Sequence, residues 1–147
     1  MNQNWNRWIC ASTSKVFKAD ADAFPVHFFL AGTKKDTDSK SDYVVFRMQG
    51  PNFTEVSHNY FRVDVTINAL YSVTIGSDFH LPYKIAGMLA ETMDEFCVYK
   101  YGDDDSLLGT LRLSRPVNVN HLGQTDEDTN VVQGMVVGTY VMFLDEN

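Results

Sequence analysis

Phe61-Arg62-Val63-Asp64-Val65-Thr66-Ile67-Asn68-Ala69-Leu70-Tyr71-Ser72-Val73-Thr74-Ile75 places an apolar side chain at every odd position. A period of two held this long reads as a β-strand with one face buried, because successive side chains leave opposite sides of the pleat. At about 3.3 Å per residue the stretch would extend roughly 50 Å, well beyond an average strand. Such a strand either curls and bulges within one sheet, or leaves its own small domain. We expect the second, as a long hairpin or as sheet continued onto a neighbouring subunit.

Upstream, Trp5, Trp8, Ile9, Val16 and Phe17, with small Ser12 and Thr13 between them, recur at helical spacing from Asn4 to about Ala19. Pro25 ends that region. Val26 to Ala31 reads as a short apolar strand closed by Gly32, and Thr33 to Asp42 as a solvated loop without one apolar side chain. Tyr43 to Met48 reads as a strand, Gly50-Pro51-Asn52 as a turn or corner between antiparallel strands, and Phe53 to Ser57 as the approach to the long strand.

Downstream the period changes. Pro82 suits a first helical turn, and Ile85, Leu89, Met93 and Phe96 recur on one face, predicting a helix of about fifteen residues. Cys97 to Tyr101 reads as a strand, Gly102 to Ser106 as an acidic turn, and Leu107 to Leu113 as the return, extended by Val117 and Val119 to His121. Gly123 to Asn130 reads as a polar loop. The last strand, Val131 to Leu144, is apolar on both faces, with Met135, Val137, Val141 and Phe143 on one and Val136, Tyr140, Met142 and Leu144 on the other. Such a strand is central in its sheet or lies between subunits. The order predicts a single α+β domain over 1–147, a mixed or antiparallel sheet with a long projecting strand or hairpin, flanked by two helices.

Composition narrows the function. The 147 residues are 44% hydrophobic and 13% aromatic, which excludes a disordered chain, and carry a net charge of −7. The twelve basic residues are scattered, so the footprint of a nucleic-acid binder is missing. Cys10 and Cys97 form no CxxC and read as buried thiols of a reducing compartment. The first residues lack the apolar core of a signal peptide and no stretch approaches a membrane span, so we expect a soluble protein made in the cytoplasm.

Chemistry finds no foothold. Asp103-Asp104-Asp105 lacks the glycine of a calcium loop, and its twelfth position is Ser114 instead of Glu. The histidines at 27, 58, 80 and 121 show no zinc spacing; His27 reads as a core residue and His121 as a loop residue. No nucleophile elbow or phosphate-binding glycine pattern occurs, and Glu91 with Glu95 reads as a solvated helix surface. We therefore expect no enzyme activity, no catalytic residues, no metal and no cofactor.

Three segments together resemble the tail terminator proteins of tailed bacteriophages. They are the helix beginning Trp5-Asn6-Arg7-Trp8-Ile9 with its following strand near Phe28-Leu30, the strand Tyr60 to Asn68 with the helix Ile85 to Met93, and the closing strand Gly134 to Val141. The likeness is one of element order and covers most of the chain. It implies a structural virion protein, assembled in the host cytoplasm as a homo-hexameric ring on the end of the tail tube. Such a ring stops tube polymerisation and meets the head-tail connector or stopper protein, while duplex DNA passes through the lumen without specific binding. Subunit contacts are expected along Phe61, Val63, Val65, Ile67 and Tyr71 of the long strand and at Val137 and Tyr140 of the last. A head-tail stopper or a tail tube subunit is a neighbouring reading. A small ligand-binding module, its pocket lined by Trp5, Trp8, Phe28 and Phe61, is a reading of another class.

Overall fold

A computed structural model describes residues 1–21, 24–29, 42–74, 80–126 and 131–146. Its elements are α1 (Trp5–Ala21), β1 (His27–Phe29), β2 (Tyr43–Ser57), β3 (Tyr60–Thr74), α2 (Leu81–Thr92), β4 (Phe96–Tyr99), β5 (Leu107–Leu113), β6 (Asn118–Asp126) and β7 (Val131–Asp145). The strands form one mixed sheet in the order β1-β2-β3-β7-β5-β4, with β6 also on β7. Among the described strands, only the β1–β2 pair is parallel. The fold is α+β, as the sequence predicts.

The long alternating strand exists and is β3. It does not leave the domain. β2 and β7 are each 15 residues long and flank it on both sides, β7 in unbroken register from Tyr60 opposite Asp145 to Thr74 opposite Val131. Val63, Val65, Ile67, Ala69, Tyr71 and Val73 are buried in the chain's own core. Strand length is thus matched by partners within the same chain, and the expected hairpin is β2–β3, turning at His58 and Asn59. Asn59 takes a left-handed backbone conformation there, φ 58°, and its N–H donates to Glu55 Oε1 at 3.0 Å.

The expected corner at Gly50-Pro51-Asn52 is instead a bulge inside one continuous strand. The register of β2 on β3 shifts between Gln49 and Asn52 and resumes antiparallel. Gly50 lies at φ 98°, and a side chain there would meet the Asp64 carbonyl at 2.8 Å, so glycine is required.

Both helices cover the same sheet face. In α1 the buried positions Trp5, Trp8, Ile9, Ser12, Thr13 and Phe17 form one helical stripe. An aromatic series joins the layers: Phe28 lies 4.8 Å from Phe46, Phe46 4.5 Å from Phe17, Phe17 6.0 Å from Phe96, and Phe96 5.4 Å from Tyr140. The Ser12 hydroxyl accepts the Tyr99 N–H at 3.0 Å, giving edge strand β4 a backbone partner from the helix.

The second helix is shorter than its apolar spacing suggests. It has 12 residues and ends at Thr92, whose Oγ1 donates to the Met88 carbonyl at 2.9 Å; Phe96 opens β4, opposite Leu111. β4 stops at Tyr99, short of Tyr101. β5 ends at Leu113, but the expected extension through Val117 and Val119 to His121 follows as β6, which continues in the same direction along the same edge of β7 after an irregularity at 114–117, where the Ser114 N–H donates to the Thr139 carbonyl at 2.9 Å. The expected loop from Gly123 is strand as far as Asp126, and His121 is a strand residue. Residues 127–130, the loop 33–41, the end of the first strand at Leu30 and Ala31, Ile75 and the His27 side chain lie outside the described residues. Among the described residues no helix is long and apolar enough to cross a membrane.

Candidate functional site

Because successive strand residues alternate, the helices cover one set of side chains and leave the other free of helix, open except at one end where Val45 and Ser72 are buried. On β7 the split is sharp: Val136, Tyr140, Met142 and Leu144 are buried, whereas Met135, Val137 and Val141 are half-buried and Phe143 is exposed. The two apolar faces read from the sequence are therefore a core face and an open face. Across the open face run Arg47 and Gln49 of β2, Arg62, Asp64, Thr66, Asn68 and Leu70 of β3, and Arg112 of β5, by their register with one another and with β7.

Among the described residues, concavities indent this face. One, of 490 Å³, is lined by Arg47, Gln49, Thr66, Asn68, Leu70, Met135 and Val137. Another, of 400 Å³, lies beside it between Arg115, Pro116, Val117, Asn118, Val137 and Thr139. Val137 belongs to both, so they form a shallow groove with Arg47 toward one end and Arg115 toward the other. Arg115 is held by a hydrogen bond from its Nε to Thr139 Oγ1 at 3.2 Å.

Charge is unevenly placed. Of the chain's five arginines, Arg47, Arg62, Arg112 and Arg115 all lie on the open face or its groove, and Arg7 lies on α1. Asp64 answers Arg62 at 3.0 Å, and Glu95 approaches Arg112 at 3.7 Å. In a chain of net charge −7, the open sheet face is its arginine-bearing surface.

The structure sorts the expected contact residues between the two faces. Val137 is on the open face. Val63, Val65, Ile67, Tyr71 and Tyr140, at 0–1% exposure, are spent on the chain's own core, and half-buried Phe61 packs its ring 5.5 Å from Trp5. Those six do not present a surface to a neighbour, because the helix layer already covers them. Nor do Trp5, Trp8, Phe28 and Phe61 share a ligand pocket. Trp5 packs on Phe53 and Phe61, and Phe28 on Phe24 and Phe46.

On the core face at the other end of the sheet, Tyr71 of β3, Gly134 of β7 and His121 of β6 lie side by side in register. The Tyr71 hydroxyl is hydrogen-bonded to His121 Nδ1, and the exposed Tyr83 ring of α2 meets the imidazole edge-to-face at 5.0 Å. Burial, with a contribution from Tyr83, pushes the Tyr71 phenol above its ordinary range. It therefore keeps its proton, and because a neutral phenol both donates and accepts, the direction of the bond follows the tautomer of His121.

Elsewhere, several titratable groups are in structural use. The carboxyl of Asp104 is held below its usual range by hydrogen bonds from Ser106 Oγ at 2.7 Å and Ser106 N at 3.0 Å, closing the acidic turn on itself. Cys10 and Cys97 are free thiols, the first pushed up by burial. Among the described residues no group of three or more His, Cys, Asp or Glu is placed to hold a metal.

The sequence matches no family model and no curated protein. Solved structures do match, sixteen chains in all. One of them, whose name describes no function, aligns over 100% of this chain and 97% of its own with a TM-score of 0.53 at 13% identity. That likeness is one of fold. It extends the α+β arrangement across the chain's whole length and assigns no activity to the groove.

Sequence reasoning missed Arg47, Gln49, Thr66, Asn68, Leu70 and Met135 as neighbours. A signal was present in the even positions of the long strand, where Leu70 interrupts an otherwise polar set, and in the second apolar face of β7. The polar partners between them carry no periodic mark.

Proposed function

We propose that the chain is a structural subunit of a tailed-phage neck, forming a homo-hexameric ring that caps the tail tube, stops its growth and meets the head-tail connector. One observation carries the reading. Both helices lie on a single sheet face, leaving an open face that combines Met135, Val137, Val141 and Phe143 with four arginines, the makings of a protein interface. An element order that resembles that of tail terminators supports the rest.

In this reading the open face turns toward protein, and the acidic remainder of each subunit is left for the lumen. Six copies at −7 would give the ring about −42, and a negative wall lets duplex DNA slide because phosphates adhere to basic surfaces. A ring whose lumen proved strongly basic would remove this part of the proposal.

Adding the purified chain to polymerising tail tube protein tests the function. A terminator shortens the tubes and appears as one ring on their ends in negative stain. Long cylinders of the chain alone would identify a tube subunit instead. Binding to the connector, with no effect on tube length, would identify a stopper.

A further inference from the structure

The outer side of α2 carries its charges in the order least suited to a helix standing alone. Lys84 sits in the first turn, at the positive end of the helix dipole. Glu91 lies in the last turn and Asp94 just beyond it, both exposed, and the last turn holds no basic residue. Carboxylates at a helix C-terminus face the partial negative charge of unpaired carbonyls, and a cation there would be favoured. Between the ends, Gly87 leaves open space where any other residue would put a side chain, so another surface can approach the helix closely.

The open sheet face has the complementary character. Its groove is floored by Leu70, Met135 and Val137, and Arg47 and Arg115 stand at its ends. Arg47 is exposed on β2 and Arg115 is exposed in the short link between β5 and β6. The same sheet already buries its other face under helices, so a further helix on the open face would repeat packing that this sheet supports.

We infer that the groove receives the outer side of α2 from a second copy of this chain, with Arg47 and Arg115 meeting Glu91 and Asp94. This deepens the ring reading, on which it rests, by naming the two surfaces that meet. The occupant is a second copy because the chain carries both halves of the complementary pair. They lie on opposite sides of the sheet, helix layer and open face, so one molecule cannot join its own. Each copy therefore gives one surface and receives the other, a head-to-tail contact that closes into a ring when its rotation permits.

Two double variants and their mixture test this. Arg47→Glu with Arg115→Glu, and Glu91→Arg with Asp94→Arg, should each abolish assembly in sedimentation velocity or mass photometry. The second pair should leave the monomer folded, cations at the helix C-terminus offsetting the loss of the hydrogen bond that Asp94 Oδ1 accepts from the Glu95 N–H. An equimolar mixture of the two variants should recover assembly, because every contact then pairs a wild-type helix with a wild-type groove or a reversed helix with a reversed groove. Assembly retained by either variant, or no recovery on mixing, overturns the contact. So does a wild-type chain that stays monomeric at its highest soluble concentration. Tube capping is scored separately: capping retained while the variants fail to recover one another keeps the ring reading and discards this interface. Loss of capping only in the arginine variant would assign the groove to an acidic partner protein, which also overturns it.

Discussion

Tyr71 reaches across Gly134 to hydrogen-bond His121, joining β3 to β6 over the strand that lies between them. The glycine is what permits it. A Cβ on Gly134 would fall inside the Tyr71 phenol, so the absence of a side chain on β7 and the presence of a large one on β3 are a single packing solution. Replacing Gly134 with Ala should destabilise the fold by about 1–3 kcal/mol, the usual range for overpacking. In a Tyr71→Val background nothing crosses the glycine and the same change should be far milder. Urea denaturation of the four proteins gives the coupling directly, and additive effects would show that the ring does not lie over Gly134.

The hydrogen bond also couples the tautomer of His121 to the direction in which the Tyr71 hydroxyl is used. With Tyr71 as donor, Nδ1 must be the unprotonated nitrogen of the neutral ring and Nε2 must carry the hydrogen. Nitrogen-15 shifts of the neutral imidazole should show one tautomer, and Tyr71→Phe should relax it toward a mixture. A mixture of tautomers in the wild-type chain would show that the bond does not hold the ring.

Tyr140 poses the opposite case. Its ring is fully buried between Phe96 and β7, and its hydroxyl has no hydrogen-bond partner among the described residues. An unmade hydrogen bond on a buried group costs about 1–3 kcal/mol, so Tyr140→Phe should leave stability unchanged or raise it by about 1 kcal/mol. Burial also pushes the phenol far above its ordinary range, with Asp94 adding to the shift. A group whose folded pKa is raised contributes stability fully present below its unfolded value, here 10.0, and lost as pH rises beyond it. The wild-type chain should accordingly unfold in strong alkali more readily than Tyr140→Phe. Equal alkaline midpoints would place the hydroxyl in contact with solvent.

At the sheet's edge, Ser12 does for β4 what a neighbouring strand would otherwise do. Its hydroxyl takes the Tyr99 N–H in a part-buried setting. Ser12→Ala should cost about 1–3 kcal/mol and open β4 first. Hydrogen exchange should then show the Tyr99 amide losing protection while the β3 amides keep theirs.

Legibility tracked the locality of the physical cause. β3 and α1 announce themselves because each buries one stripe of its own side chains, and the stripe repeats at the period of the backbone. β2 and β6 do not. β2 passes through Gly50-Pro51 by a bulge whose register is held by β3, and β6 carries Asn118, Asn120, His121 and Gly123 because its partner β7 supplies the apolar content of the pair. The open face was half legible. The apolar residues of β7 appear in the sequence as a second stripe, but nothing local says which stripe the helices will cover. That choice is made by Trp5, Phe17, Ile85 and Leu89, far away in the chain, and it is why residues expected at a subunit contact fell into the core.

The separation of the two faces leads to one further contrast, between Ile67 and Val137. Ile67 is on β3, 1% exposed, and Val137 is half-buried on β7 at the floor of the groove. Ile67→Ala should cost about 2–5 kcal/mol, the range for truncation in a packed core, with assembly lost only as a consequence of unfolding. Val137→Asp puts a carboxylate on a surface already bordered by Arg47 and Arg115, so the monomer should keep its fold and lose its partner. Circular dichroism melts separate the outcomes from sedimentation. A folded, fully assembling Val137→Asp chain would show that the groove floor is not buried in any contact between copies. An unfolded one would show that the open face contributes to the core after all.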